Sequence, residues 1–328
     1  MDNTNQAKVI NVERDFNGNL EQAIASANDG DTVRLGAKTY TTEGITVNRD
    51  ITVEGVEGSI IDGNGTSAPI IEIISGGSGA TIQNLEITNG NIGVRANEAT
   101  DVTMQNLEIH NIGISETIRE GKNNVGISLV YADGFQVLDS ELYNIGRKGV
   151  GVNDTQGGIV SGLTIEDINL DAQNAQSYDA AGIKTFNTDG ITISDNELTG
   201  INAIGIWNDL ARDTTIEGNV VTGVGEDFKR PDFNPNVDIF GIHNEKSYIS
   251  EIRNNEVTAT DEFLAFKSTE FSTETMTLEN NDFSSQELQG TDFWVNKNGE
   301  ILVAVIADPR EADFGLFAEE FLADANIG

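Results

Sequence analysis

"ITISDNELTG", residues 191–200, alternates apolar and polar residues at period two, the pattern of a short strand with one buried face. It returns as "TTIEGNVVTG" at 214–223 and "SEIRNNEVTA" at 250–259, and more loosely as "ATIQNLEITN" at 80–89 and "MTLENNDFSS" at 276–285. Alignment stacks Leu85, Leu107, Ser140, Leu163, Asn196, Asn219, Asn255 and Asn281 in one column. Asparagine sharing a column with leucine is expected inside the molecule, each amide bonding to its copy one coil away.

About ten residues before each of these strands stands a glycine followed by an apolar residue. The pairs are Gly93-Val94, Gly126-Ile127, Gly149-Val150, Gly182-Ile183, Gly205-Ile206 and Gly241-Ile242, at intervals of 33, 23, 33, 23 and 36 residues. The base unit is therefore about 23 residues, and the longer intervals carry insertions at 113–124, 168–181 and 224–239. A unit this short has no room for a strand–helix–strand crossover, so it buries its apolar face only by stacking on its neighbours. The chain is expected to wind into a solenoid.

This pattern, over roughly residues 31–285, resembles the right-handed parallel β-helix proteins of the pectate-lyase-like superfamily. The preceding "GNLEQAIASANDGDTVRLGAKTYTTEGITVNRDITVEGV" is similar to that superfamily's opening segment. The expected architecture is all-β: an N-terminal segment and capping helix in 1–30, a parallel β-helix in 31–285 and a C-terminal cap in 286–328. Asn19 and Gln22 form a capping box, Leu20, Ala23, Ile24 and Ala27 one apolar helical face, and Gly30 the stop. At the other end "GEILVAVIAD" (299–308) reads as a strand and "EADFGLFAEEFLAD" (311–324) as an amphipathic helix.

Composition agrees. Thirty-five glycines and four prolines in 328 residues describe many tight turns. No run approaches the ~20 apolar residues of a membrane span, and the N-terminus has no apolar signal region. The absence of cysteine rules out disulfides and thiolate metal sites. A formal charge of −35 repels nucleic acid and acidic lipid, so neither is expected as a partner. With the superfamily resemblance, the acidity suggests a monomer outside the cell or at its surface.

Counting from each glycine, the first following residue points inward and the second outward. One outward column then holds Arg95, Ser128, Gly151, Lys184, Trp207 and His243; the next holds Asn97, Val130, Asn153, Phe186, Asp209, Glu245 and Lys267. With coils about 4.8 Å apart, Lys184, Trp207, Asp209, His243 and Glu245 form one patch. His110, the other histidine, lies in a different strand and reads as surface decoration. The insertions enter just before the patch and are expected to wall it into a groove, bringing Tyr178, Asp179, Phe228, Lys229, Arg230 and Phe233. Aromatic platforms among mixed charges suit a sugar chain: pyranose faces stack on Trp207, Tyr178 and Phe186, and Arg230 and Lys267 bind polar groups.

Two chemistries fit these residues. In the first, Lys184 or His243 removes the proton beside a uronate carboxylate, giving β-elimination or epimerisation, while Arg230 or a calcium ion held by Asp209, Glu245 and Asp179 or Asp238 offsets the charge. The resemblance implies the pairing of a basic residue with calcium. In the second, Asp209 and Glu245, one coil apart at about 5 Å, act as a glycosidase pair. A glycan- or calcium-binding surface module is the non-catalytic alternative. "NTDG" at 187–190 resembles the first catalytic motif of polygalacturonases, but "AIGIWNDL" and "FGIHNEKS" stand where the companion motifs belong. It is expected to be a turn.

Overall fold

A computed structural model describes residues 7–114, 124–168, 180–225, 240–259, 264–269, 276–285, 292–295 and 301–304. Each coil contributes three strands, as in Ala181–Phe186, Asp189–Ser194 and Glu197–Ile201, followed one turn later by Ile204–Asp209, Arg212–Glu217 and Val220–Val224. Each of these strands pairs in parallel with its copy in the next coil, and three such ladders run along the coils. One of them extends from Val9–Asn11 to Thr277–Glu279. The expected parallel β-helix is the fold.

The glycine signature has a steric cause. A β-carbon on Gly93, Gly126, Gly149, Gly182 or Gly205 would lie 2.5–2.8 Å from the carbonyl oxygen of the matching glycine one coil on. Only glycine permits that approach. The residues after it fill the interior: Val94, Ile127, Val150, Ile183, Ile206 and Ile242 are all fully buried.

The asparagine column is a continuous internal ladder. Asn196 Nδ2 donates to Asn219 Oδ1, Asn219 to Asn255 and Asn255 to Asn281, each at 2.9 Å. The same oxygens also accept backbone N–H groups from the coil before, which satisfies donors a turn would otherwise orphan. A second inner ladder went unread in the sequence: Thr185 donates to Asn208 at 2.7 Å and Asn208 to Asn244 at 2.7 Å, all fully buried beneath the patch.

At the N-terminal end, helices Val12–Phe16 and Leu20–Ser26 put Val12, Leu20, Ala23, Ile24 and Ala27 into the same core as the coils. Asn19 caps the second helix by accepting from Gln22 N, but the reciprocal half of the expected box is absent, because Asn19 N donates to Phe16 O of the preceding helix. The helix ends at Ser26, and Gly30 turns the chain with φ of 83°. The expected strand near the C-terminus exists as Ile301–Ala304, antiparallel to Asp292–Val295. The helix expected at 311–324 lies outside the described residues.

Candidate functional site

Three coils build the site. Ala181–Phe186, Ile204–Asp209 and Phe240–Glu245 pair in register, aligning Lys184 with Trp207 and His243, and Phe186 with Asp209 and Glu245. The inward residues between them, Thr185, Asn208 and Asn244, are tied by the second ladder, so the outward pair on each strand cannot slip relative to its neighbours.

Trp207 is the centre. Lys184 Nζ lies 3.2 Å from its ring centroid on one side, and the His243 ring stacks on the other at 5.9 Å with the planes 17° apart. Its Nε1 donates to Glu245 Oε2 at 3.1 Å. The ring also packs on a small apolar cluster of Ala181, Ile204 and Phe240, separate from the main core, with Phe240 edge-on to His243 at 4.8 Å. The indole therefore spends its apolar surface on its own neighbours rather than exposing it.

One charge pair crosses coils, and the other contacts lie within one strand and the turn that follows it. Lys184 Nζ lies 3.4 Å from Asp209 Oδ2, and His243 Nδ1 4.0 Å from Glu245 Oε2. Lys246 Nζ donates to Glu245 Oε1 at 3.2 Å. Burial pushes the Asp209 carboxyl above the ordinary value; Lys184 opposes this and Glu245 reinforces it. Burial also acts upward on Glu245, but the Lys246 hydrogen bond, the His243 charge and the Trp207 N–H together hold it below the ordinary value.

One expectation needs correction. Lys184, Asp209 and His243 leave the outer side of the sheet, yet they are only 6%, 8% and 5% exposed, so outward does not mean solvated here. Trp207, Glu245 and Phe186 are the partly open members. Lys267 is also displaced: its strand, Leu264–Thr269, aligns it with His243 rather than with Glu245, whose partner is Thr269. Tyr178, Asp179, Arg230 and Asp238, with Phe228, Lys229 and Phe233, lie outside the described residues.

Asp209 and Glu245 do not fit a calcium site as they stand. One Asp209 oxygen faces Lys184, and both Glu245 oxygens accept from Lys246 and Trp207, whereas calcium needs several such oxygens turned to one point. Among the described residues no group of three or more histidine or carboxylate side chains converges on a metal position.

Two features were misjudged or missed in the sequence. His110 is not surface decoration: it stacks on Tyr143 at 4.8 Å with the planes 1° apart, and its Nε2 lies 3.1 Å from Glu86 Oε1. A groove of about 850 Å³ runs over the turns that follow the site strands, from Tyr131 through Asp154, Asn187 and Leu210 to Tyr248. "NTDG" forms one of those turns, with Asn187 and Gly190 both at positive φ.

No family model matches the chain, and no curated protein matches it. Solved structures do. An alginate lyase from Paenibacillus sp. str. FPU-7 superposes with a TM-score of 0.62 at 15% identity, covering 85% of this chain and 95% of the lyase. The chain has the fold of that lyase. Weaker similarity extends to the A-module of a mannuronan C-5 epimerase from Azotobacter vinelandii (TM-score 0.45, 13% identity, 80% and 89% of the two chains). It also extends to the catalytic domain of a GH87 alpha-1,3-glucanase (TM-score 0.44, 13% identity, 86% and 59%). Among the described residues, no helix is long and apolar enough to cross a membrane.

Proposed function

We propose that this protein is an extracellular or cell-surface polysaccharide lyase acting on uronate-containing glycans. The observation that carries the reading is the Lys184–Trp207–His243 stack with Asp209 and Glu245 alongside: a cation, a base and an acid of raised pKa on three adjoining rungs. The likeness to an alginate lyase over most of both chains supports it.

In this mechanism the Lys184 ammonium offsets the uronate carboxylate, which makes the adjacent C5 proton removable. The His243 imidazole, held between Trp207 and Phe240, takes that proton. The C5–H electron pair forms the C4=C5 double bond as the C4–O bond breaks, and the departing oxygen receives a proton from Asp209, which takes one up from solvent once the Lys184 ammonium has turned from it to the uronate carboxylate. No step requires a metal. A second reading, glycoside hydrolysis by the same carboxylates, is favoured by one fact: their environments push Asp209 up and Glu245 down, the split an acid and its ionised partner need.

A panel of polyuronates and neutral glycans, with and without chelator, separates the readings. Elimination yields ultraviolet-absorbing unsaturated ends that persist in chelator, and His243→Asn reduces their rate about 100-fold or more. New reducing ends without absorbance would instead establish hydrolysis. Glycan affinity without product from any of them would leave a binding module.

A further inference from the structure

The sheet face that carries the stack continues toward the N-terminus with a different composition. Pairing in register places Arg95, Ser128, Gly151 and Lys184 in one outward column and Asn97, Val130, Asn153 and Phe186 in the next. Lys148 belongs to the same face, because its stem crosses Gly151: a β-carbon there would lie 3.5 Å from Lys148 Cδ. On these four rungs the two columns and Lys148 supply three cations and no carboxylate. The chain as a whole has 54 acidic residues against 19 basic ones, so an acid-free, cationic strip departs from the rest of its surface.

Gly151 is not a stacking glycine. Its β-carbon would meet Lys148 Cδ at 3.5 Å and Val125 Cγ1 at 3.7 Å, ordinary packing distances, whereas at Gly149 the Gly182 carbonyl oxygen would be 2.6 Å away. Glycine weakens a strand interior and marks a close approach; here it lets the lysine stem lie flat on the sheet. Arg95 is the other unusual member. Its Nε is buried without an acceptor, and among the described residues its guanidinium makes no hydrogen bond or ion pair, although Glu72 is its in-register neighbour on the preceding coil. Ser128, partly exposed on the next rung, also makes no side-chain hydrogen bond among the described residues. A desolvated guanidinium nitrogen without an acceptor costs stability, and an anion arriving from outside removes that cost.

The geometry points to a second carboxylate subsite, formed by Arg95, Ser128 and Lys148, for an acidic glycan lying along the solenoid axis. The ligand's identity rests on the uronate reading of the stack. Arg95 is three rungs from Lys184, about 14 Å, so the two cations engage different sugar residues of one chain. The guanidinium takes a carboxylate through paired N–H donors, and the Ser128 hydroxyl donates beside it. The glycan therefore extends from the stack toward the N-terminal coils.

Isothermal titration calorimetry with hexagalacturonate, hexamannuronate and uncharged maltohexaose tests this on the full chain carrying His243→Asn, which keeps the ligand intact. Binding of at least one hexauronate and not of maltohexaose is expected. Arg95→Met should weaken it about tenfold or more, the share of a hydrogen bond to a charged group, at an unchanged melting temperature. Ser128→Glu is the decisive variant, because it sets a carboxylate opposite Arg95: a melting temperature equal to or above that of the parent, with a similar loss of affinity, is expected. Arg49→Met removes a cation from the turn after Ile45–Val47 and should leave affinity unchanged. Unchanged affinity in both Arg95→Met and Ser128→Glu would overturn the subsite. So would an equal loss in Arg49→Met, a lowered melting temperature in Arg95→Met, or no hexauronate binding at all. The expected binding pattern without unsaturated product from the wild type would keep the subsite and refute the lyase; product with binding indifferent to Arg95 and Ser128 would do the reverse.

Discussion

Lys184 sits between an aromatic ring and a carboxylate, and its removal strands the carboxylate. Asp209 has a raised pKa, so the folded state holds a proton that the unfolded state releases over the same range. Its protonated form is therefore compatible with burial at low pH, and stability falls as pH rises through the raised value. Lys184→Met removes the ammonium that limits this loss. The variant is expected to lose about 3–5 kcal/mol at neutral pH, the cost of breaking a buried pair. The deficit should shrink sharply near pH 4, where an ordinary carboxylate takes up its proton. Urea midpoints at the two pH values check this; an equal deficit at both would mean that ionised Asp209 is not the stranded group. The burial itself was not legible in the sequence. Period two tells which side of a sheet a residue leaves from, as it did for Lys184, Trp207 and His243, but not what lies over it. The same limit explains His110, whose stacking partner Tyr143 is 33 residues away and meets it only through pairing of their strands.

Register was legible wherever glycine marked it. A side chain at that position collides with the next coil's carbonyl, so each Gly-apolar pair fixes a strand without knowledge of the rest. The marker fails in Leu264–Thr269, where Ala265 stands at the glycine position, and the expected column for Lys267 was consequently two residues out. The asparagine ladder was visible because the amide recurs in aligned strands. The Thr185–Asn208–Asn244 ladder was hidden because that column begins as Ala96, Leu129 and Val152; its switch from apolar to polar was the signal available. At this scale the test is Asn219, whose Nδ2 donates to Ile193 O at 3.0 Å and Asn255 Oδ1 at 2.9 Å while its Oδ1 accepts from Asn196. Asn219→Ala leaves several buried groups without partners, and a loss of about 3 kcal/mol or more in unfolding free energy is expected. Asn281→Ala, half-buried at the end of the ladder, should cost clearly less. Equal urea midpoints for the two variants would show that the ladder's interior carries no extra stability.

Across the whole molecule, the composition, the repeat and the N-terminal helix specified the architecture, because a solenoid's contacts are local to neighbouring coils and recur. The helices at Val12–Phe16 and Leu20–Ser26 cover an end that would otherwise present an open strand and an apolar interior. Deletion of residues 1–26 uncovers Thr32–Arg34, paired on that side only with Val9–Asn11. The shortened protein is expected to self-associate, seen as a rise in mass by light scattering; a stable monomer of unchanged melting temperature would deny the cap its role. The two ladders bear on precision as well as on stability. Hydrogen bonds made amide to amide through the interior resist shear between adjoining coils in a way that interdigitated isoleucines do not, since a small displacement breaks a bond but barely alters an apolar contact. The Thr185–Asn208–Asn244 ladder lies directly beneath Lys184, Trp207 and His243, so side chains supplied by three separate turns of chain keep their spacing as though mounted on one rigid plate.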